Sequence, residues 1–228
     1  MTTREEGRDG SNAGARDAKR AVSRRDLLKS ALVAGVGLTL ADVLGPAFAQ
    51  ADATTETDPT KLPPQKGDVF VFAGSQNKGK VITDDDVPLG GPQVLAWPAV
   101  VSNKDGTPTV EVVRDGNTQN AVLLARFALG DYSPDTKSYV TASGVVAYSA
   151  TCTHQCCQVT EWLADQKSFH CPCHGSIYDP LNHAQQTPDS PAPRPLPQLP
   201  LMTGADEAAI PTAAAGFRTQ VGCGPVTH

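Results

Sequence analysis

Residues 144–179 read GVVAYSATCTHQCCQVTEWLADQKSFHCPCHGSIYD, and five of the chain's six cysteines lie within them. The stretch opens on a Val/Tyr run of strand character. Two cysteine–histidine segments follow, Cys152-Thr153-His154-Gln155-Cys156-Cys157 and Cys171-Pro172-Cys173-His174-Gly175-Ser176. Each offers a C-x-H or C-x-x-H pair, a spacing that lets two side chains of one tight loop reach one metal site. The sixteen residues between His154 and Cys171 are enough for a hairpin that brings the two loops together. Two Cys and two His suit tetrahedral zinc, or a 2Fe–2S cluster with thiolates on one iron and imidazoles on the other. Zinc fingers usually place the two Cys in one loop and the two His in the other. Here each loop supplies one of each, so each loop can touch both irons.

Outward from this stretch, the rest of the chain after Asp68 reads as short strands. DVFVFAG, QVLAWPAVV, TVEVV and AVLLARF are rich in Val and aromatics and are separated by the turn-formers Asn-Lys-Gly, Lys-Asp-Gly, Asp-Gly-Asn and Ser-Pro-Asp. Spacings of roughly ten residues fit an antiparallel sandwich or small barrel. No long 3.6-residue apolar period follows residue 50. The expectation is a mainly β fold, an antiparallel β-sandwich over 67–228. A segment of about 160 residues can bury a core of its own, so a metal site would sit on a stable scaffold.

The N-terminal quarter reads as an address. Residues 1–22 are polar and cannot build a core. Ser23-Arg24-Arg25-Asp26-Leu27-Leu28-Lys29 then precedes a mostly apolar run from Ala31 to Leu44, the pattern of a twin-arginine export signal. The segment 23–49 is expected to be one signal or membrane-anchor helix. Cleavage and retention are balanced: Ala31–Ala49 approaches the ~20 residues of a membrane span, but Asp42 and Pro46 interrupt it and Ala47-Phe48-Ala49 offers an A-x-A cleavage site. Residues 50–66 are polar and proline-bearing and read as a semi-extended linker or hinge. Residues 1–49 hold eight Lys/Arg against six Asp/Glu; the remainder holds eleven against eighteen and is acidic. No basic stripe is present to hold a phosphate backbone, so no nucleic-acid partner is expected.

The boxes CTHxxC and CPCHGSIYD resemble the two cluster-binding boxes of the Rieske proteins of cytochrome bc-type (quinol–cytochrome c reductase) complexes, and GVVAYSATCTH and PAPRPLPQLP around them are similar to the same family over about 67–202. The resemblance implies a Rieske 2Fe–2S cluster, one per chain, in a small cluster-binding subdomain at about 149–199. It implies that Cys152 and Cys171 ligate the inner iron, that His154 and His174 ligate the outer iron near solvent, and that Cys157 and Cys173 form a disulfide tying the loops. Ser176 and Tyr178 match the family's hydrogen-bond donors to a bridging sulfide and to a cysteine ligand, which would place the cluster toward the high end of the ~ −150 to +300 mV Rieske range. Ser190–Pro195 resembles the proline loop that covers the cluster, stiffened by fixed φ angles.

The function implied is electron transfer, with quinol oxidised, a c-type cytochrome reduced, and His154 and His174 carrying out proton-coupled electron transfer as imidazoles that gain or lose a proton. The implied partners are a cytochrome b-type subunit, a c-type cytochrome, quinol, the membrane and the twin-arginine export machinery, with the head on the periplasmic side. Three other functions compete. One is the Rieske small subunit of a periplasmic molybdenum oxidase of the arsenite oxidase type. The others are a soluble Rieske ferredoxin or oxygenase component, and a zinc-binding interaction module. The chain departs from the family where Gln155 replaces an apolar tip residue, Cys156 replaces a glycine, and Ser190 replaces the glycine that opens the proline loop. Cys156 and Cys223 are left over. Two free thiols are the favoured reading, and a second disulfide folding the tail over the cluster lobe is the alternative. His170 and His183 match no ligand position and read as surface residues or supports behind the ligands.

Overall fold

A computed structural model describes residues 57–74, 77–105, 107–203 and 210–224. The polar tail, the expected signal or anchor helix at 23–49 and the first part of the expected linker lie outside the described residues. No helix among the described residues is long and apolar enough to cross a membrane.

Strands β1 (Val69–Phe72), β2 (Val94–Lys104), β3 (Thr107–Val113), β4 (Val122–Arg126) and β5 (Val145–Ser149) coincide with the five Val-rich runs. The short helix α1 (Pro134–Lys137) follows β4; Ser133 caps it and Pro134 opens it. Then come β6 (Glu161–Leu163), β7 (Ser168–Cys171), β8 (Ser176–Asp179), β9 (Gln185–Gln186), β10 (Gln198–Leu199), β11 (Leu201–Thr203) and β12 (Pro211–Ala213). All pairings between these strands are antiparallel.

The larger sheet runs β10-β5-β4-β2-β1-β12-β11, with β3 added on β2. Its two ends, β10 and β11, are separated in sequence only by Pro200, so the sheet curls until its ends meet. The expected sandwich is therefore built from one sheet wrapped on itself. Closure of this kind leaves few unpaired strand edges. The wrapped core holds Phe70, Ala96, Val122, Leu124, Val145, Ala147, Leu199, Leu201 and Ala213, drawn from seven of the strands. Alternation along β4 sends Ala121, Leu123 and Ala125 to the opposite side, into a second core. That core is completed by Tyr148 and by Val159, Phe169, Tyr178, Ala184 and Leu196 from the segment between β5 and β10. This segment carries its own four-stranded sheet, β6-β7-β8-β9. The Tyr148 and Phe169 rings meet edge to face at 5.9 Å.

Residues 58–64, expected within the linker, are instead bound to the domain. Arg114 Nη1 donates to the Pro59 carbonyl at 3.0 Å, Gly116 N to Thr60 O at 3.1 Å and Asn120 Nδ2 to Leu62 O at 2.7 Å. Arg114 itself is buried against Asp68, with Nε–Oδ2 at 2.6 Å and Nη2–Oδ1 at 3.0 Å. A polar, proline-bearing segment reads as a linker when its own side chains are considered. Its backbone carbonyls were captured by donors about 55 residues away in sequence.

Candidate metal centre

β5 delivers the chain into the first cysteine–histidine loop. Ala150 N bonds Ala121 O at 2.8 Å, and the returning strand bonds back through Val159 N to Ala150 O at 2.8 Å. Inside, Cys152 N donates to Cys157 O and Cys156 N to Cys152 O, at 2.8 and 3.1 Å. The second loop is the turn of the β7–β8 hairpin, where Gly175, at φ +76°, donates to Cys171 O at 3.0 Å. Register places Ser176 directly opposite Cys171 and Tyr178 opposite Phe169.

Cys152 and Cys171 are both 1% exposed and carry free thiols at the edge of the second core. The imidazoles lie toward solvent. His154 is half-buried, His174 is exposed, and their rings meet at 4.8 Å and 84°. The Tyr178 hydroxyl lies 3.2 Å from Cys152 Sγ. Burial, and after it the Cys152 sulfur, hold the phenol well above its ordinary range, so it remains a neutral O–H donor. Burial pushes both thiols up. At Cys152 the opposing hydrogen bonds, led by Tyr178, prevail and the thiol is lowered. Cys171, buried and beside the Cys152 sulfur, is pushed up to about 11.

The structure joins Cys157 to Cys173, with Cα atoms 6.5 Å apart, and joins Cys156 to Cys223, with Cα atoms 5.0 Å apart. The second bridge replaces the two free thiols favoured by the sequence reading. The sulfurs of Cys157, Cys171 and Cys173 lie within 4.8 Å of one another. Two of these are consumed by the disulfide, which leaves Cys171 as the thiol available to a metal. The Ser190 hydroxyl accepts from Ile177 N at 2.8 Å and donates to Ile177 O at 3.1 Å, fastening the proline loop to β8. His170 pairs with Glu161 at 2.7 Å across the β6–β7 pair, and His183 Nδ1 meets Gln198 Oε1 at 3.3 Å. Neither joins the Cys/His group.

Two contributors escaped the sequence reading. Thr153, fully buried, donates its hydroxyl to Arg194 O at 2.6 Å and its backbone N–H to the Tyr178 oxygen at 3.3 Å. Arg194, within the proline loop, donates to the carbonyls of Gly222 and Gly224 at 2.8 and 3.1 Å. Thr153 stands between Cys152 and His154 with no metal-binding chemistry of its own, and nothing local to Arg194 points to the C-terminal tail.

The donor set suits an iron–sulfur group. Two free buried thiols stand with two imidazoles at the solvent end. His154 Nδ1 and Ser176 Oγ are buried without a hydrogen-bond partner in the protein. A buried imidazole nitrogen and a buried hydroxyl without partners are costly, and a metal and an acceptor sulfur would satisfy them.

Comparison with known proteins gives the same answer. Residues 101–200 match the family model "Rieske [2Fe-2S] domain". Among curated relatives, a "Putative respiratory nitrate reductase subunit Rieske" of Haloferax mediterranei is 34% identical over 111 residues, covering 49% of this chain and 48% of that protein. A "Cytochrome bc1 complex Rieske iron-sulfur subunit" of Corynebacterium diphtheriae is 40% identical over 112 residues, 46% of this chain and 26% of that protein. One of the same name from Streptomyces lividans is 31% identical over 115 residues, 47% of this chain and 65% of that protein. The chain thus matches between about a quarter and two thirds of the length of these relatives. Residues 101–200 are thus a Rieske domain, and the chain binds a 2Fe–2S cluster.

Proposed function

We propose that Cys152 and Cys171 hold one iron of the cluster and His154 and His174 the other, and that the chain is the electron-transfer subunit of a respiratory cytochrome bc-type complex, taking electrons from quinol and passing them to a c-type cytochrome. The observation that carries this reading is the polarity of the site: thiols 1% exposed at the core, imidazoles at the surface. Anything that exchanges protons with the site must do so at the histidine end.

When bound, the cluster supplies a one-electron couple. The chain's own residues do the rest. With His154 Nδ1 turned inward and buried, Nε2 is the ring nitrogen left to accept a quinol hydroxyl and hold its proton, and the exposed His174 ring offers a second such position. Tyr178 donates to Cys152 Sγ and the Ser176 hydroxyl has a proton to give; both favour the electron-rich state and raise the potential, as oxidation of a quinol requires. The Cys157–Cys173 bridge limits how far the loops part. The twin-arginine segment and the apolar run at 31–44 support a membrane-anchored protein with its head on the periplasmic side, delivered by the export machinery and seated beside a cytochrome b-type subunit.

Redox titration of native membranes at several pH values, followed by electron paramagnetic resonance, tests the reading. The expected result is a Rieske signal in the membrane fraction with a midpoint that falls as pH rises through the alkaline range. A midpoint flat across that range overturns the proton-coupled role of the histidines. The Haloferax relative supports a second reading, in which the electron partner is another oxidoreductase, as in the arsenite oxidase type. Added quinol would then fail to reduce the cluster in those membranes.

A further inference from the structure

After β12 the chain leaves the large sheet, and residues 222–224 lie on the cluster lobe. Arg218 N bonds Gln198 O at 2.9 Å on the way. At its end four contacts converge. Cys223 is bonded to Cys156, Gly224 N donates to Thr153 O at 2.8 Å, and Arg194 donates to both Gly222 O and Gly224 O. Thr153 closes the ring through its hydroxyl to Arg194 O. Three segments far apart in sequence, the first ligand loop, the proline loop and the tail, are thereby fastened to one another beside Cys152 and His154.

Cys156 explains why this is a built feature. Its φ is +57°, in the left-handed region that glycine occupies without cost and other residues occupy at a penalty. A cysteine held there needs a compensating gain, and the disulfide is the one its side chain makes. On the other side, Gly222 and Gly224, at φ +140° and +81°, let the tail backbone come close enough to meet Thr153 and Arg194. Both bridged cysteines are exposed. Without the covalent tie, residues 222–224 would be held at the surface by three hydrogen bonds alone, and a segment so held opens readily.

We propose that the Cys156–Cys223 disulfide is a strap that keeps the first ligand loop closed on the proline loop and so slows loss of the 2Fe–2S cluster, without setting its potential. This rests on the ligand assignment proposed above. The loop carrying Cys152 and His154 must open for iron to leave, and the strap joins that loop to β12 and, through Arg194, to the proline loop. Tyr178, by contrast, is held by β8 and by the second core, so its hydrogen bond to Cys152 survives when the strap is cut.

The test compares the purified cluster-bearing protein with Cys223→Ser and with the double variant Cys156→Gly/Cys223→Ser, which leaves no odd thiol to reshuffle. Cluster loss is followed in the presence of an iron chelator, and hydrogen exchange at the amides of residues 152–157 is read in the same samples. Both variants are expected to lose the cluster faster by on the order of tenfold, to exchange those amides faster, and to keep the wild-type midpoint and spectrum. Unchanged exchange at 152–157 overturns the strap whether or not a cluster is bound. So does a double variant that keeps its cluster as long as the wild type, because relief of strain at position 156 would then have outweighed the bridge. A wild-type protein with no iron–sulfur signal overturns the ligand assignment alone, and the exchange data still judge the strap.

Discussion

Tyr178 shows how a single proton is directed. Thr153 spends its hydroxyl proton on Arg194 O at 2.6 Å and presents its backbone N–H to the Tyr178 oxygen. Thr153 Oγ1 can therefore only accept from Tyr178, at 3.3 Å, and the competing acceptor is Cys152 Sγ at 3.2 Å. A sulfur carrying negative charge wins that competition. Tyr178→Phe should lower the midpoint by ~40 mV, the one-electron equivalent of about 1 kcal/mol of hydrogen bonding, with the spectrum retained. A midpoint identical to wild type would show that the hydroxyl is not donating to the site. At this scale the sequence was informative wherever chemistry is local. The Cys and His types and their spacing were readable, and so was the oddity of a cysteine at a glycine position. The partner of Cys156 was not, because a bond spanning 67 residues leaves no local trace.

Among the elements, the first five strands were legible because Val and aromatic runs alternate between the two faces of a sheet and end at Gly, Asn and Asp turns. The strands after β5 were not. β9 and β10 are two residues each, and β12 begins with proline; such pieces become strands by pairing, since their own propensity is weak. The turn after β1 carries a different tension. Asp84 lies there 4% exposed, next to Ile82 and Val87 of the wrapped core. Burial raises its carboxyl above the ordinary value of 3.8, against the pull of Ser143 and Arg126. The folded chain then holds a proton that the unfolded chain has released, so this contribution is complete below the ordinary aspartate value and is lost as pH rises through the raised one. Asp84→Asn should accordingly gain stability over the wild type between pH 4 and pH 7, with the two converging toward pH 4, as read from urea midpoints. A difference that stays constant across that range would show that the carboxyl does not titrate between them.

On the scale of the molecule, the described residues pack into three apolar clusters about one wrapped sheet, and the cluster lobe shares one of them with β4 and β5. The lobe is thus the less self-sufficient part, stapled by the Cys157–Cys173 bridge across a 16-residue separation. Removing that bridge with Cys157→Ser/Cys173→Ser should cost about 3 kcal/mol on the chain-entropy estimate. Hydrogen exchange should show β6–β9 opening while β1 and β2 remain protected. Loss of protection spread evenly over both sheets would contradict a separable lobe. The β character of the chain and the metal-binding chemistry were already legible in the amino-acid order, because strand alternation and ligand spacing are short-range properties. Closure of the sheet on itself, the binding of residues 58–64 to the domain, and the clasp of Arg194 and Cys223 on the first ligand loop came only with the three-dimensional fold. Each of these depends on which distant donors, acceptors and sulfurs meet, and that is settled by long-range packing of the strands around their apolar cores.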